Sequence, residues 1–131
     1  MAKLPKLTPF WYEPEGQDDE GEKVRFLLRP LTQQQMVDVE EHYVDGRITG
    51  KAQYIAGKLG IVQVQGAYHP QTNQPAVPPS CFEWLDRTLV KLCGLRLIIE
   101  DRGLDWDQIM KPLREGAAAE PAKPEETDEG N

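Results

Sequence analysis

Proline and glycine cut this chain into short segments before any finer signal is weighed. Phe10-Trp11-Tyr12 stands between Pro9 and Pro14, and the run Val24 to Arg29 stops at Pro30. Both are rich in aromatic and aliphatic residues, which is strand composition, and both are too short for a stable helix. Between them, Glu15-Gly16-Gln17-Asp18-Asp19-Glu20-Gly21 holds two glycines and four acids, the makeup of a turn. The two runs therefore read as an antiparallel hairpin with a long polar tip. Asp18, Asp19 and Glu20 do not form a calcium loop, which needs alternating ligands over about 12 residues and a closing glutamate. A solvated turn is the simpler reading.

Helix signals follow at once. Thr32 with Gln35 three residues on makes a capping box, and Leu31 and Met36 hold the positions of a hydrophobic staple. Met36, Val39 and Tyr43 mark one face of a helix over 33–44, which Asp45-Gly46 ends. A shorter helix begins at Thr49, carries Ala52, Ile55, Ala56 and Leu59, and stops at Gly60. Ile61-Val62-Gln63-Val64 is a short β-type run. Residues 66–79 contain four prolines and read as a loop with a second hairpin turn near Asn73. Ser80 and Glu83 form another capping box, opening a helix with Phe82, Leu85, Leu89 and Leu92 on one face. Gly94 is placed to bend or break it before Leu95–Glu100. A last helix starts at Asp105, with Leu104 facing Ile109, and Pro112 should end or kink it.

These elements predict an α+β fold: an N-terminal antiparallel β-hairpin packed on about four α-helices, in a single domain over residues 1–114. Phe26 and Leu28 are expected to pack on the helix carrying Phe82, Leu85 and Leu89. The net charge is −7, but residues 115–131 alone carry six acids and one lysine, leaving the rest nearly neutral at −2. That segment has no side chain larger than Ala that could enter a core. It is expected to be a disordered acidic tail, dispensable for folding.

Several function classes are disfavoured on the same grounds. No stretch approaches the roughly 18 apolar residues of a membrane span, and the first residues lack the apolar core of a secretory signal. Cys81 and Cys93 lie 12 residues apart. On one continuous helix that is about 18 Å, beyond the roughly 7 Å a disulfide spans, so reduced thiols are expected. Asp38 and His42 sit one turn apart but have no third metal ligand. Cys81 follows Pro-Pro-Ser near a helix start, a place that can activate a thiol, yet no base accompanies it. Neither a phosphate loop nor a catalytic constellation is present, so no catalytic, metal or cofactor-binding residues are assigned and the chain is not read as an enzyme. The two helices around Asp45-Gly46-Arg47-Ile48 have helix-turn-helix proportions, which keeps a DNA-binding regulator as an alternative. The acidic first helix, with only Lys51 and Lys58 on the second, argues against nucleic acid.

What remains is an interaction protein. The order runs from Phe10-Trp11-Tyr12-Glu13-Pro14 through an acidic turn to Phe26-Leu27-Leu28-Arg29-Pro30-Leu31-Thr32. An acidic helix, Gly46-Arg47-Ile48-Thr49-Gly50-Lys51, a small-residue helix and Leu59-Gly60-Ile61-Val62 follow. Over roughly residues 8–100 this layout resembles the tail assembly chaperones of long-tailed bacteriophages. The resemblance implies a non-enzymatic protein of the host cytoplasm, absent from the mature virion, that coats the tape measure protein until tail tube protein polymerises around it. Its expected partners are the tape measure protein, tail tube subunits and further copies of itself, with no cofactor. A small structural tail component is the other alternative.

Candidate partner-binding residues are the aromatics on segments flanked by proline or glycine: Trp11, Tyr12 and Tyr68. Strand alternation offers a plainer account of two of them, in which Phe10 and Tyr12 face the core and Trp11 covers a helix edge.

Overall fold

The computed structural model describes residues 8–17 and 21–119. The fold is α+β, with a three-stranded antiparallel sheet and four α-helices among the described residues. Strand β1 (Phe10–Tyr12) pairs with β2 (Arg25–Leu28) in the register Trp11 opposite Leu27 and Tyr12 opposite Phe26. The expected hairpin is therefore present. Gln17 braces it, since its side-chain amide accepts from the Val24 N–H and donates to the Val24 carbonyl, both at 2.8 Å. Asp18, Asp19 and Glu20 lie outside the described residues.

Helix α1 (Gln33–Glu40) starts on the expected capping box, with the Gln35 N–H donating to Thr32 Oγ1 at 3.1 Å and Thr32 N–H donating to Gln35 Oε1 at 3.0 Å. Leu31 and Met36, the staple positions, are both buried. The helix ends four residues before the sequence suggests. Asp45 and Gly46 both take positive φ, and Val44 and Arg47 exchange two backbone hydrogen bonds around them. That is a type I′ hairpin turn, which Asp-Gly favours, so residues 44–47 are committed to a tight reversal and cannot extend α1.

Helix α2 (Gly50–Gly60) is capped by Thr49, whose hydroxyl accepts from the Ala52 N–H. It runs directly into strand β3 (Ile61–Gln65), which returns antiparallel beside β2. The short β-type run is thus a third strand, and β2 is the middle of the sheet. Residues 67–76 form the second hairpin: Tyr68 bridges Pro75, and Asn73 takes a positive φ at the tip.

The expected helix at 80 is corrected. Ser80–Glu83 is a single 3₁₀ turn, and Ser80 donates its hydroxyl to the Val77 carbonyl rather than capping. Helix α3 (Arg87–Asp101) starts at Asp86, whose carboxylate accepts from the Thr88 N–H at 2.9 Å. The break lets Cys81 and Leu85 both enter the core before the chain turns. Gly94 does not interrupt α3.

The buried face of α3 is also different from the leucine stripe. It consists of Val90, Cys93, Gly94, Leu97, Ile98 and Ile99, while Leu89 and Leu92 are half-buried. Against it α2 turns Ala52, Ala56, Gly57 and Gly60. The two backbones come so close that a Cβ at Gly94 would collide with the Gln53 carbonyl, and one at Gly57 with the Val90 carbonyl. Phe26 and Leu28 from the sheet complete the same core.

Helix α4 (Trp106–Ala119) keeps Pro112 inside it. Asp105 accepts from the Asp107 N–H at 3.0 Å, as an opening cap does. The expected boundary at 114 falls within this helix. The acidic tail expected at 115–131 lies outside the described residues from position 120, and positions 115–119 continue the α4 backbone.

Both cysteines are free and buried. Burial pushes the Cys81 and Cys93 thiols and the Tyr12 phenol above their ordinary ionisation range. These groups ionise more easily in the unfolded chain, so above about pH 9 unfolding releases protons. Stability is then full below that pH and falls as pH rises, by up to about 1.4 kcal/mol per pH unit for each buried group. Urea midpoints measured from pH 7 to 11 check this. A thiol reagent at pH 8 should label neither cysteine in the folded protein and both in denaturant.

Candidate functional site

The sheet presents its two faces unequally. Phe10, Tyr12, Phe26, Leu28, Ile61 and Val64 point inward, whereas Trp11, Arg25, Leu27, Gln63 and Gln65 alternate onto the other face. A bulge in β3 between the partners of Leu27 and Leu28 adds Val62 to the exposed set. The result is a row across the three strands, with Trp11 opposite Leu27 and Leu27 opposite Gln63.

Trp11 is 37% exposed. The Arg25 guanidinium lies over its ring at 5.1 Å from the centroid, and Arg25 Nη1 donates to Gln65 Oε1 at 3.2 Å. A cation held over an indole face fixes the ring without burying it. Arg25 is thus one partner of the Trp11 ring.

Tyr12 does not belong to that surface. It is 3% exposed, its hydroxyl donates to Glu15 Oε1 at 2.6 Å, and its ring meets Trp106 edge-to-face at 5.9 Å. Strand alternation is the cause: one residue along from Trp11, the side chain points into the core. Tyr68 is exposed, but on the separate hairpin of residues 67–76. Of the three candidate aromatics, Trp11 alone sits on the sheet row.

A residue that sequence reasoning missed is Arg96 on α3. Its guanidinium lies 4.7 Å from the ring centroids of both Phe10 and Tyr12, and its Nε donates to Glu100 Oε2 at 2.8 Å. It ties the inward-facing rings of β1 to α3. Only the i, i+4 spacing of Arg96 and Glu100 was visible beforehand, and that says nothing about rings.

The hairpin at 67–76 is docked rather than free. The His69 ring meets Trp84 edge-to-face at 5.3 Å, and His69 Nδ1 accepts the N–H groups of Gln71 and Thr72. His69 therefore organises its own turn. Asp38 and His42 do not share a helix face, because α1 ends at Glu40 and Asp38 accepts from the Gln34 amide. Among the described residues no group of three His, Cys, Asp or Glu side chains is placed to hold a metal ion. The Cys81 thiol is made less acidic by burial, the reverse of an activated nucleophile.

The helix-turn-helix geometry is not formed. Nine residues, 41–49, separate α1 from α2, against the three or four of that motif. Helix α2 spends one face on α3, leaving Lys51 and Lys58 outward, and Lys58 lies over the Tyr54 ring at 4.9 Å. No described helix is long and apolar enough to cross a membrane. No family model matches the chain, and no curated protein or solved structure matches it.

Proposed function

We propose that this protein is a tail assembly chaperone of long-tailed bacteriophages, a non-enzymatic binder that shields the tape measure protein in the host cytoplasm until tail tube subunits enclose it. The observation that carries the reading is the row Trp11–Leu27–Gln63 on the solvent side of the sheet. It sits on a scaffold with the element order from Phe10-Trp11-Tyr12 through Leu28-Arg29-Pro30-Leu31-Thr32 to Gly46–Lys51. A tape measure protein is a long helical chain, and an aromatic beside an aliphatic, rimmed by Arg25 and the glutamines, is the chemistry that holds an apolar helix face.

Co-expression tests it directly. The tape measure protein encoded in the same genome should be insoluble alone, and should become soluble and co-purify when this chain is present. Failure to co-purify overturns the proposal. Recovery of this chain from purified virions in tail-like stoichiometry would make it a structural tail component instead.

Trp11→Ala separates binding from folding. Because Trp11 contacts Arg25 on the exposed face, its removal should cost about 1 kcal/mol or less of stability. Client binding should weaken by about 2 kcal/mol, roughly thirtyfold, as loss of an aromatic anchor does. Thermal melting and a pull-down titration read the two effects independently.

A further inference from the structure

We infer that the outer sheet face selects its client by charge: it takes an acidic amphipathic helix whose carboxylates, seven residues apart, meet Arg25 and Arg29 on either side of Leu27. This rests on the reading of that face as a client surface and adds which helices it admits. Alternate residues of a strand share a face, so the outward position after Leu27 is Arg29. The Arg29 N–H donates to the Gly60 carbonyl at 2.8 Å, which carries the β2–β3 pairing one residue further. Arg25 and Arg29 are both exposed, while Phe26 and Leu28 between them are buried. Among the described residues neither arginine has an acidic partner. Lys23, two residues before Arg25, is paired with Glu13 at 3.8 Å. Strand β3 contributes no charged side chain. A chain of net charge −7 thus carries a positive strip along the middle strand of its sheet.

The spacing of the arginines sets the spacing of the acids. Four positions along a strand span about 13 Å. On a helix laid along β2, residues i and i+7 point about 20° apart and are separated by about 10.5 Å, a difference that long arginine side chains close. Between them, i+3 and i+4 fall on the same side of the helix, where they meet Leu27 and Trp11. Each guanidinium keeps donors for a carboxylate: Arg25 gives Nη1 to Gln65, and Arg29 gives none to a described residue. Other acidic occupants fit less well. A stacked nucleic-acid base would compete with the Arg25 guanidinium for the Trp11 ring, and the net charge of the chain opposes phosphates. Residues 120–131 of this chain hold five acids but only alanine and proline as apolar side chains, so they offer charge without a pair to cover Leu27 and Trp11.

The probe is a synthetic helical peptide with two adjacent leucines and a glutamate three residues to each side, titrated into the full chain. It should bind, and replacing both glutamates by lysine should weaken binding at least about tenfold. Arg29→Glu should weaken the acidic peptide to a similar degree. It should leave the melting temperature unchanged, since Arg29 is exposed and its side chain pairs with no described acid. A peptide with one glutamate and one lysine should restore binding to the Arg29→Glu protein, which reports direct contact at that position. Equal affinity for the acidic and lysine peptides, or a tape measure protein that co-purifies as well with Arg29→Glu as with the parent, overturns the charge selection and leaves the client reading standing. Failure to co-purify, with the peptide results as expected, overturns the client reading alone. A single-stranded oligonucleotide, or a peptide of residues 120–131, that binds as tightly as the acidic helix overturns the inference by giving the strip another occupant.

Discussion

Gly94→Ala should destabilise the protein by about 3 kcal/mol, a large share of what holds a small domain folded. Alanine is the better helix former by about 1 kcal/mol, so an isolated α3 would gain from the change. The crossing with α2 decides the sign. The added methyl would collide with the Gln53 carbonyl and crowd the Gly57 nitrogen, and both are backbone atoms that cannot swing aside as a side-chain tip can. Either α2 moves off α3, opening the largest helix contact in the fold, or the helix distorts. Gly50→Ala is the matched control. There the nearest atom is the Lys91 ammonium at 3.4 Å, the end of a flexible side chain, so the substitution should be neutral or mildly stabilising. Urea denaturation of the two variants beside the parent measures the contrast. A Gly94→Ala protein as stable as Gly50→Ala would mean that the helices do not cross this closely.

Trp106→Ala should cost about 3–5 kcal/mol, as emptying a fully enclosed aromatic site does. Trp106 is 1% exposed and is the edge-to-face partner of Tyr12, so its loss removes both the anchor of α4 and the floor beneath β1. The indole N–H adds a second, opposite expectation. Nε1 is buried with no hydrogen-bond partner among the described residues. A buried orphan donor costs about 1–3 kcal/mol, so Trp106→Phe, which keeps most of the ring and drops the donor, should lose far less than the alanine variant. Thermal melts of the pair settle the ordering: Phe close to the parent, Ala far below. The reverse order would assign Trp106 a polar role.

Parts of this fold were legible in sequence and parts were not, for identifiable reasons. The β1–β2 hairpin, the box at Thr32 and Gln35, and the turn at Asn73 rest on signals a few residues long, and tertiary contacts reinforce each of them. Ser80 and Glu83 make an equally good local signal, yet Asp86 six residues later caps α3. Two capping sequences competed, and burial of Cys81 and Leu85 chose the second. The inner face of α3 was hidden because it is built on small residues. Hydrophobic periodicity registers leucines and passes over Gly94 and Cys93, although close approach is what the packing needs. At the candidate surface, alternation along β1 foretold that Trp11 and Tyr12 part company. The seating of Arg25 over Trp11 and of Arg96 over Phe10 and Tyr12 was not legible, since guanidinium–ring contacts join residues far apart in the chain.

The glycine-lined crossing also bears on how the chain reaches its native state. Gly57 and Gly60 in α2 and Gly94 in α3 each weaken their own helix by about 1 kcal/mol relative to alanine. Helices of 11 and 15 residues with such interruptions are too short to persist alone in water. Each becomes stable only against the other, where the absent side chains are what allow contact. Coiling of α2 and α3 and their docking are therefore a single cooperative event. A loose intermediate with both helices formed but apart has little to hold it, and the chain passes between unfolded and fully assembled with few stopping places.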